Sequence, residues 1–92
     1  MKPTKSSSRK PQESRFLKSL GLNIRKWREE KGYTQEEFAP IAGFTRSYIT
    51  EVETGKRNIS FLNLLKIIDA LEVEDASIKH LLQEIRSYKD ET

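Results

Sequence analysis

The sequence has no cysteine and a single histidine, His80, among its 92 residues. Without thiols there is neither a disulfide framework nor a thiolate metal site, and a reducing cytoplasm is the natural setting. His80 stands without a second ligand at metal spacing and reads as a surface residue, so no metal or cofactor is expected. A glycine-rich phosphate loop and a Ser/His/acid arrangement are also missing, which argues against an enzyme. No apolar run approaches the roughly 20 residues of a membrane span, and the basic N-terminus lacks the apolar segment of a secretory signal. A cytoplasmic protein with no membrane partner is expected. Proline and glycine are scarce, at three and four residues, so each can be read as local punctuation.

This length makes one domain near the lower limit for a self-sufficient core, where dimerisation is a common supplement. The net charge of +3 is unevenly placed. Residues 1–15 hold five basic side chains and one acidic, whereas residues 16–92 hold 12 basic and 13 acidic. The body of the chain is thus nearly neutral, and any affinity for nucleic acid must come from local placement of charge. Residues 1–13, MKPTKSSSRKPQE, lack hydrophobic periodicity and read as a disordered basic N-terminal arm. Such an arm either solubilises or lies along phosphates. Residues 14–92 form the folded domain.

From Ser14 to about Lys31, Leu17, Leu20, Ile24 and Trp27 recur at helical spacing and define a first helix with one buried stripe. Gly21 is a liability inside it and suggests close packing against a neighbour. The stretch Gly32–Arg57 then carries two short helical patterns. Thr34 with Glu37 makes a capping box, and Tyr33 with Phe38 a hydrophobic staple, for a helix over 35–42. Thr45 caps a second, over 46–54, with Phe44 and Ile49 as staple. Gly43 between them permits a positive φ, and Gly55 closes the second helix. Two such helices joined by a glycine-containing turn are a helix-turn-helix. Phe38, Ile41 and Ala42 are expected in the core, with Ala39 at the helix crossing. Pro40, in the last turn, predicts a short or kinked helix.

These residues resemble the λ-repressor/Cro-like helix-turn-helix family. The match is carried by Gly32, Thr34-Gln35-Glu36, Ala39, Ala42-Gly43, Ile49, Val52-Glu53 and Gly55-Lys56-Arg57, and it spans roughly residues 17–80. The resemblance implies an all-α, compact five-helix fold with the helix-turn-helix at helices 2 and 3. It also implies an ion pair between Arg28 and Glu53 that locks helix 1 onto helix 3. Ile49 and Val52 face inward, leaving Arg46, Ser47, Thr50 and Glu51 as candidates to read base edges. Arginine can fork onto guanine, while hydroxyls satisfy several bases. Thr34, Gln35, Thr45, Tyr48, Thr54, Lys56, Arg57 and Asn58 are candidates for the sugar-phosphate backbone. By resemblance, Gln35 clamps that backbone and steadies Arg46.

Ser60, with Ile59 and Leu64 as staple, starts a fourth helix over 61–71 that is apolar nearly all round. A fifth begins near Glu74 or Asp75, with Ile78, Leu81, Leu82, Ile85 and Tyr88 on a broad face. One small monomer covers little of this, so Phe61, Leu64, Ile68, Ile78, Leu82 and Ile85 are expected at a two-fold interface; part of the surface can equally be internal core. The expected function is a homodimeric, sequence-specific regulator of transcription on double-stranded DNA, binding a pseudo-palindromic operator through the major groove. Size and the segment Thr45-Arg46-Ser47-Tyr48-Ile49 make it most similar to restriction–modification controller proteins, which activate or repress. Glu36 and Glu37 lie where family activators touch RNA polymerase, a further candidate partner. The alternative is an antitoxin-like or cofactor module of the same fold acting through a protein partner.

Overall fold

In the computed structural model, which describes residues 10–90, the chain forms five helices and, among these residues, no strand. They are α1 (Pro11–Glu30), α2 (Gln35–Ala42), α3 (Arg46–Glu53), α4 (Phe61–Leu71) and α5 (Asp75–Asp90). No helix among the described residues is long and apolar enough to cross a membrane. Most of the arm, residues 1–9, lies outside the described residues.

Helix starts follow side-chain chemistry. The Thr34 hydroxyl accepts from the Glu37 N–H at 3.1 Å, and the Glu37 carboxylate accepts from the Thr34 N–H at 2.9 Å. Thr45 accepts from the Tyr48 N–H and Ser60 from the Asn63 N–H, each at 3.1 Å. Each cap satisfies a donor that the first turn leaves without an intrahelical partner. Helix α1 starts three residues earlier than its apolar stripe indicates. Pro11 occupies the first turn, where its missing N–H costs nothing, and Glu13 accepts from the Lys10 N–H at 3.3 Å.

Helix ends differ. Gly43 stops α2 at φ 84°, a conformation that favours glycine. Helix α4 stops the same way at Glu72, with φ 51°, where a side chain must tolerate the left-handed region.

The core draws on every helix. Ile24 of α1, Phe38 of α2, Ile49 of α3, and Ile67 and Leu71 of α4 are fully buried, joined by Leu81 of α5. Helix α1 packs on α3 and α5, while α2 packs on α3 and α4. The α1–α3 approach is close because Gly21 has no side chain. A Cβ there would lie 2.4 Å from the Glu53 carbonyl oxygen and 2.5 Å from that of Val52. Ile41 departs from expectation: it is 53% exposed, because Phe38, Ala39 and Ala42 take the inward arc of α2. Ile41 sits roughly 100° around the helix from their mean direction.

Candidate nucleic-acid interface

The outer surface of α3 is held in place by a polar chain crossing three helices, buried at one end and half-buried at the other. Arg28 of α1 donates Nε to Glu53 Oε2 at 2.7 Å and Nη2 to Oε1 at 2.9 Å, a two-pronged pair at the end of α3. Both side chains are over nine-tenths buried. The third guanidinium nitrogen, Nη1, donates to the Tyr33 carbonyl at 2.7 Å, which anchors the entry to α2. Glu53 Oε1 also accepts from Gln35 Nε2 at 3.0 Å, and Gln35 Oε1 accepts from the Thr50 hydroxyl at 3.0 Å. The bonds given to Glu53 raise the Arg28 pKa above its ordinary value, with burial opposing them. The guanidinium therefore stays charged, and neither ion of the pair is left to be desolvated alone.

The side chains expected to read bases fall into two groups. Arg46 and Ser47 stand exposed at the start of α3. Thr50 and Glu51 are half-buried and already engaged. The Thr50 hydroxyl turns toward Gln35 and the Arg46 carbonyl, both at 3.0 Å. Glu51 is bound by Arg57 at 2.6 Å. The Gln35 amide is taken on both sides by Glu53 and Thr50, so the group beside Arg46 is a different one: the Glu36 carboxylate, 3.5 Å away.

The candidates for the sugar-phosphate backbone flank this surface. Thr34 and Thr45 are exposed caps at the starts of α2 and α3, and Thr54 donates its hydroxyl to the Thr50 carbonyl at 2.9 Å. Lys56, Arg57 and Asn58 are exposed after α3. Tyr48 is half-buried, its ring stacked on Phe44 with centroids 4.7 Å apart. Its hydroxyl accepts from Asn63 Nδ2 at 2.9 Å, which leaves the phenolic hydrogen able to donate outward. Sequence reasoning missed Asn63 and the partnership of Glu36 with Arg46. Asn63 reads only as the third residue of α4, and Glu36 as a family-match residue and candidate polymerase contact rather than as a partner of Arg46. Arrays of outward arginine, hydroxyls and capped helix starts can bind a polyanion and read base edges.

The apolar residues expected between copies are placed unequally. Phe61 is 74% exposed and Leu82 46%. Leu64, Ile68 and Ile85 are half-buried against the core, and Ile78 is half-buried. Leu62 and Leu65 of α4, outside the expected set, are exposed beside Phe61.

The arrangement has counterparts among known proteins. A helix-turn-helix family model matches residues 24–77. The restriction-modification controller protein C.AhdI from Aeromonas hydrophila is 41% identical, with the match covering 66% of this chain and 92% of that one at a TM-score of 0.62. The controller protein C.Esp1396I, solved as a tetramer with its natural 35 base-pair operator, is 37% identical, covering 76% of this chain and 93% of that one at a TM-score of 0.67. The HTH-type transcriptional regulator y4dJ of Sinorhizobium fredii is 36% identical over 61 residues, 66% of this chain and 79% of the relative. Of two further relatives that it matches, the chain spans 59% and 60% of the length.

Proposed function

As this chain belongs to the helix-turn-helix family of DNA-binding transcriptional regulators, we propose that it acts as a homodimeric controller of the restriction–modification kind. Two copies related by a dyad place their α3 helices in successive major grooves of a pseudo-palindromic operator. Half-site centres then lie about 34–36 Å, or 10–10.5 bp, apart. Arg46 and Ser47 enter the groove first and read base edges. Thr50 contributes its methyl group, and Glu51 faces the base pairs beyond. The capped starts of α2 and α3, with Tyr48, Lys56, Arg57 and Asn58, grip phosphates and fix the register. Regulation follows from where the operator lies relative to a promoter.

One observation carries this reading. The polar chain Arg28–Glu53–Gln35–Thr50, buried at its Arg28–Glu53 end, fixes α3 against two other helices while its outer face is left to solvent. A reading surface must be preorganised in this way if base contacts are to discriminate. The exposed apolar side chains Phe61, Leu62, Leu65 and Leu82 support the dimer. Operator binding is further supported by C.Esp1396I, a relative solved on its operator.

Selection from a randomised duplex library tests the proposal. The expected product is an inverted repeat with the spacing given above. Recovery of no enriched word overturns operator binding, and a single unrepeated half-site overturns the dimer.

A further inference from the structure

Glu51 is a difficulty for a DNA-facing surface, because a carboxylate beside phosphates is repelled by them. Its surroundings account for it. Arg57 Nη2 and Nε both donate to the same oxygen, Glu51 Oε1, at 2.6 and 3.1 Å. The guanidinium also lies 5.0 Å from the centroid of the Tyr48 ring, within cation–π range. That ring is itself held by Phe44 from below and Asn63 at its hydroxyl. Arg57 is thus held on a prebuilt shelf that joins α3 to α4, with its fork facing a carboxylate. The two side chains are 49% and 42% exposed, so the pair is only weakly held and exchangeable.

We propose that Glu51 determines specificity by withholding Arg57 from phosphate until a base-edge amino group replaces it. This role presupposes operator binding as proposed above and adds to it the contribution of one residue. For Arg57 to grip a phosphate, its bonds to Glu51 must break. Glu51 then faces the duplex without a counter-charge. Where the adjacent base pair presents an amino group to the major groove, such as cytosine N4, the carboxylate accepts from it and both partners are satisfied. Where no amino group is in reach, either Arg57 stays on Glu51 and the phosphate contact is lost, or a bare carboxylate sits against a polyanion. Both outcomes weaken binding. The residue therefore acts chiefly against wrong sequences, which is discrimination by penalty rather than by added attraction.

The test compares the word enriched from the random library with a scrambled duplex of equal length, by fluorescence anisotropy, for wild type, Glu51→Gln, Arg57→Ala and the double variant. Glu51→Gln is expected to tighten the scrambled duplex about tenfold, as one released cationic contact would do, and not to tighten the selected word, where Arg57 is already released and the charged acceptor is lost. In the Arg57→Ala background the same change is expected to tighten the scrambled duplex by clearly less than tenfold, since it relieves only the repulsion of a bare carboxylate and releases no cation. Equal weakening of both duplexes by Glu51→Gln, or an equal gain with Arg57 absent, overturns the proposal. Thermal melting of each variant confirms that the comparison is between folded proteins. If wild type enriches no word, operator binding itself fails. If a word is enriched and its advantage over the scrambled duplex survives in Glu51→Gln, only the role of Glu51 fails.

Discussion

Arg28 donates three hydrogen bonds, two to Glu53 and one to the Tyr33 carbonyl, and almost no water reaches the pair. Removing one partner differs from removing both. Arg28→Ala leaves a carboxylate buried among helices with only Gln35 to donate to it, a loss expected to cost about 3–5 kcal/mol in urea unfolding. Replacing both residues by apolar side chains of similar volume is expected to recover most of that loss, because no lone ion remains. A loss under about 1 kcal/mol for Arg28→Ala would mean that the pair behaves as an exposed one. Gly21 makes the second residue-scale case. Helix propensity alone favours Gly21→Ala by about 1 kcal/mol. The added Cβ would meet two backbone carbonyls of α3, which cannot rotate away as a side-chain tip does. The variant is expected to be less stable by about 1–3 kcal/mol in the same measurement, and a gain would show that α1 can shift outward without cost.

At the scale of elements, the caps set the boundaries, and the one helix end among the described residues that places a non-glycine residue at positive φ offers a clear change. Glu72 ends α4 at positive φ, which costs a non-glycine residue roughly 1–2 kcal/mol, whereas glycine there loses roughly 0.5–1 kcal/mol of unfolded-state freedom. Glu72→Gly is therefore expected to raise stability by about 0.5–1 kcal/mol, read as a shift in the urea midpoint at constant slope. Its long contact with Lys31, 3.6 Å with both side chains well exposed, subtracts little. The contrast shows what the sequence makes legible. Thr34, Thr45 and Ser60 announce their helices because a cap is a local event, and the observed starts of α2, α3 and α4 sit directly after them. The start of α1 was equally local, in Pro11 and Glu13, but the apolar stripe that begins at Leu17 drew the boundary inward. Glu72 carried no local sign, since its conformation is imposed by how α4 must hand over to α5. Among site residues, the exposure of Arg46 and Ser47 follows from helical phase against Ile49 and Val52. The partners Glu36 of Arg46 and Asn63 of Tyr48 depend on how helices cross, and residue spacing along one helix cannot supply that.

For the whole molecule, two facts combine: the folded body is nearly neutral, and α4 carries three exposed large apolar side chains, Phe61, Leu62 and Leu65. The first means that few phosphate contacts would carry the electrostatic affinity, so a basic arm that met phosphates would be a measurable fraction of it. Residues 10–13 already belong to α1 or its cap, with Gln12 donating to the Tyr88 carbonyl at 3.4 Å, so the informative truncation removes only residues 1–9. It is expected to flatten the plot of log affinity against log salt by about one unit for each lysine or arginine that meets a phosphate, and an unchanged slope removes the arm from binding. The second concerns assembly. Phe61, Leu62 and Leu65 are exposed together, whereas Leu64 and Ile68 on the same helix lean on the core, so in the proposed dimer a second copy would meet α4 chiefly through the former three. The double substitution Phe61→Glu and Leu65→Glu places charge on that patch without entering the core. Stability of the monomer fold is then expected to change by no more than about 0.5 kcal/mol per site. Sedimentation should show a monomer at concentrations where wild type is dimeric. Affinity for the selected inverted repeat should fall toward the non-specific range of about 10⁻⁴–10⁻⁶ M, since one α3 helix alone retains only half of the contacts. A double variant that stays dimeric and keeps its affinity would place the dyad elsewhere, with Leu22 of α1, Ile41 of α2 and Leu82 of α5 the other exposed large apolar side chains to charge.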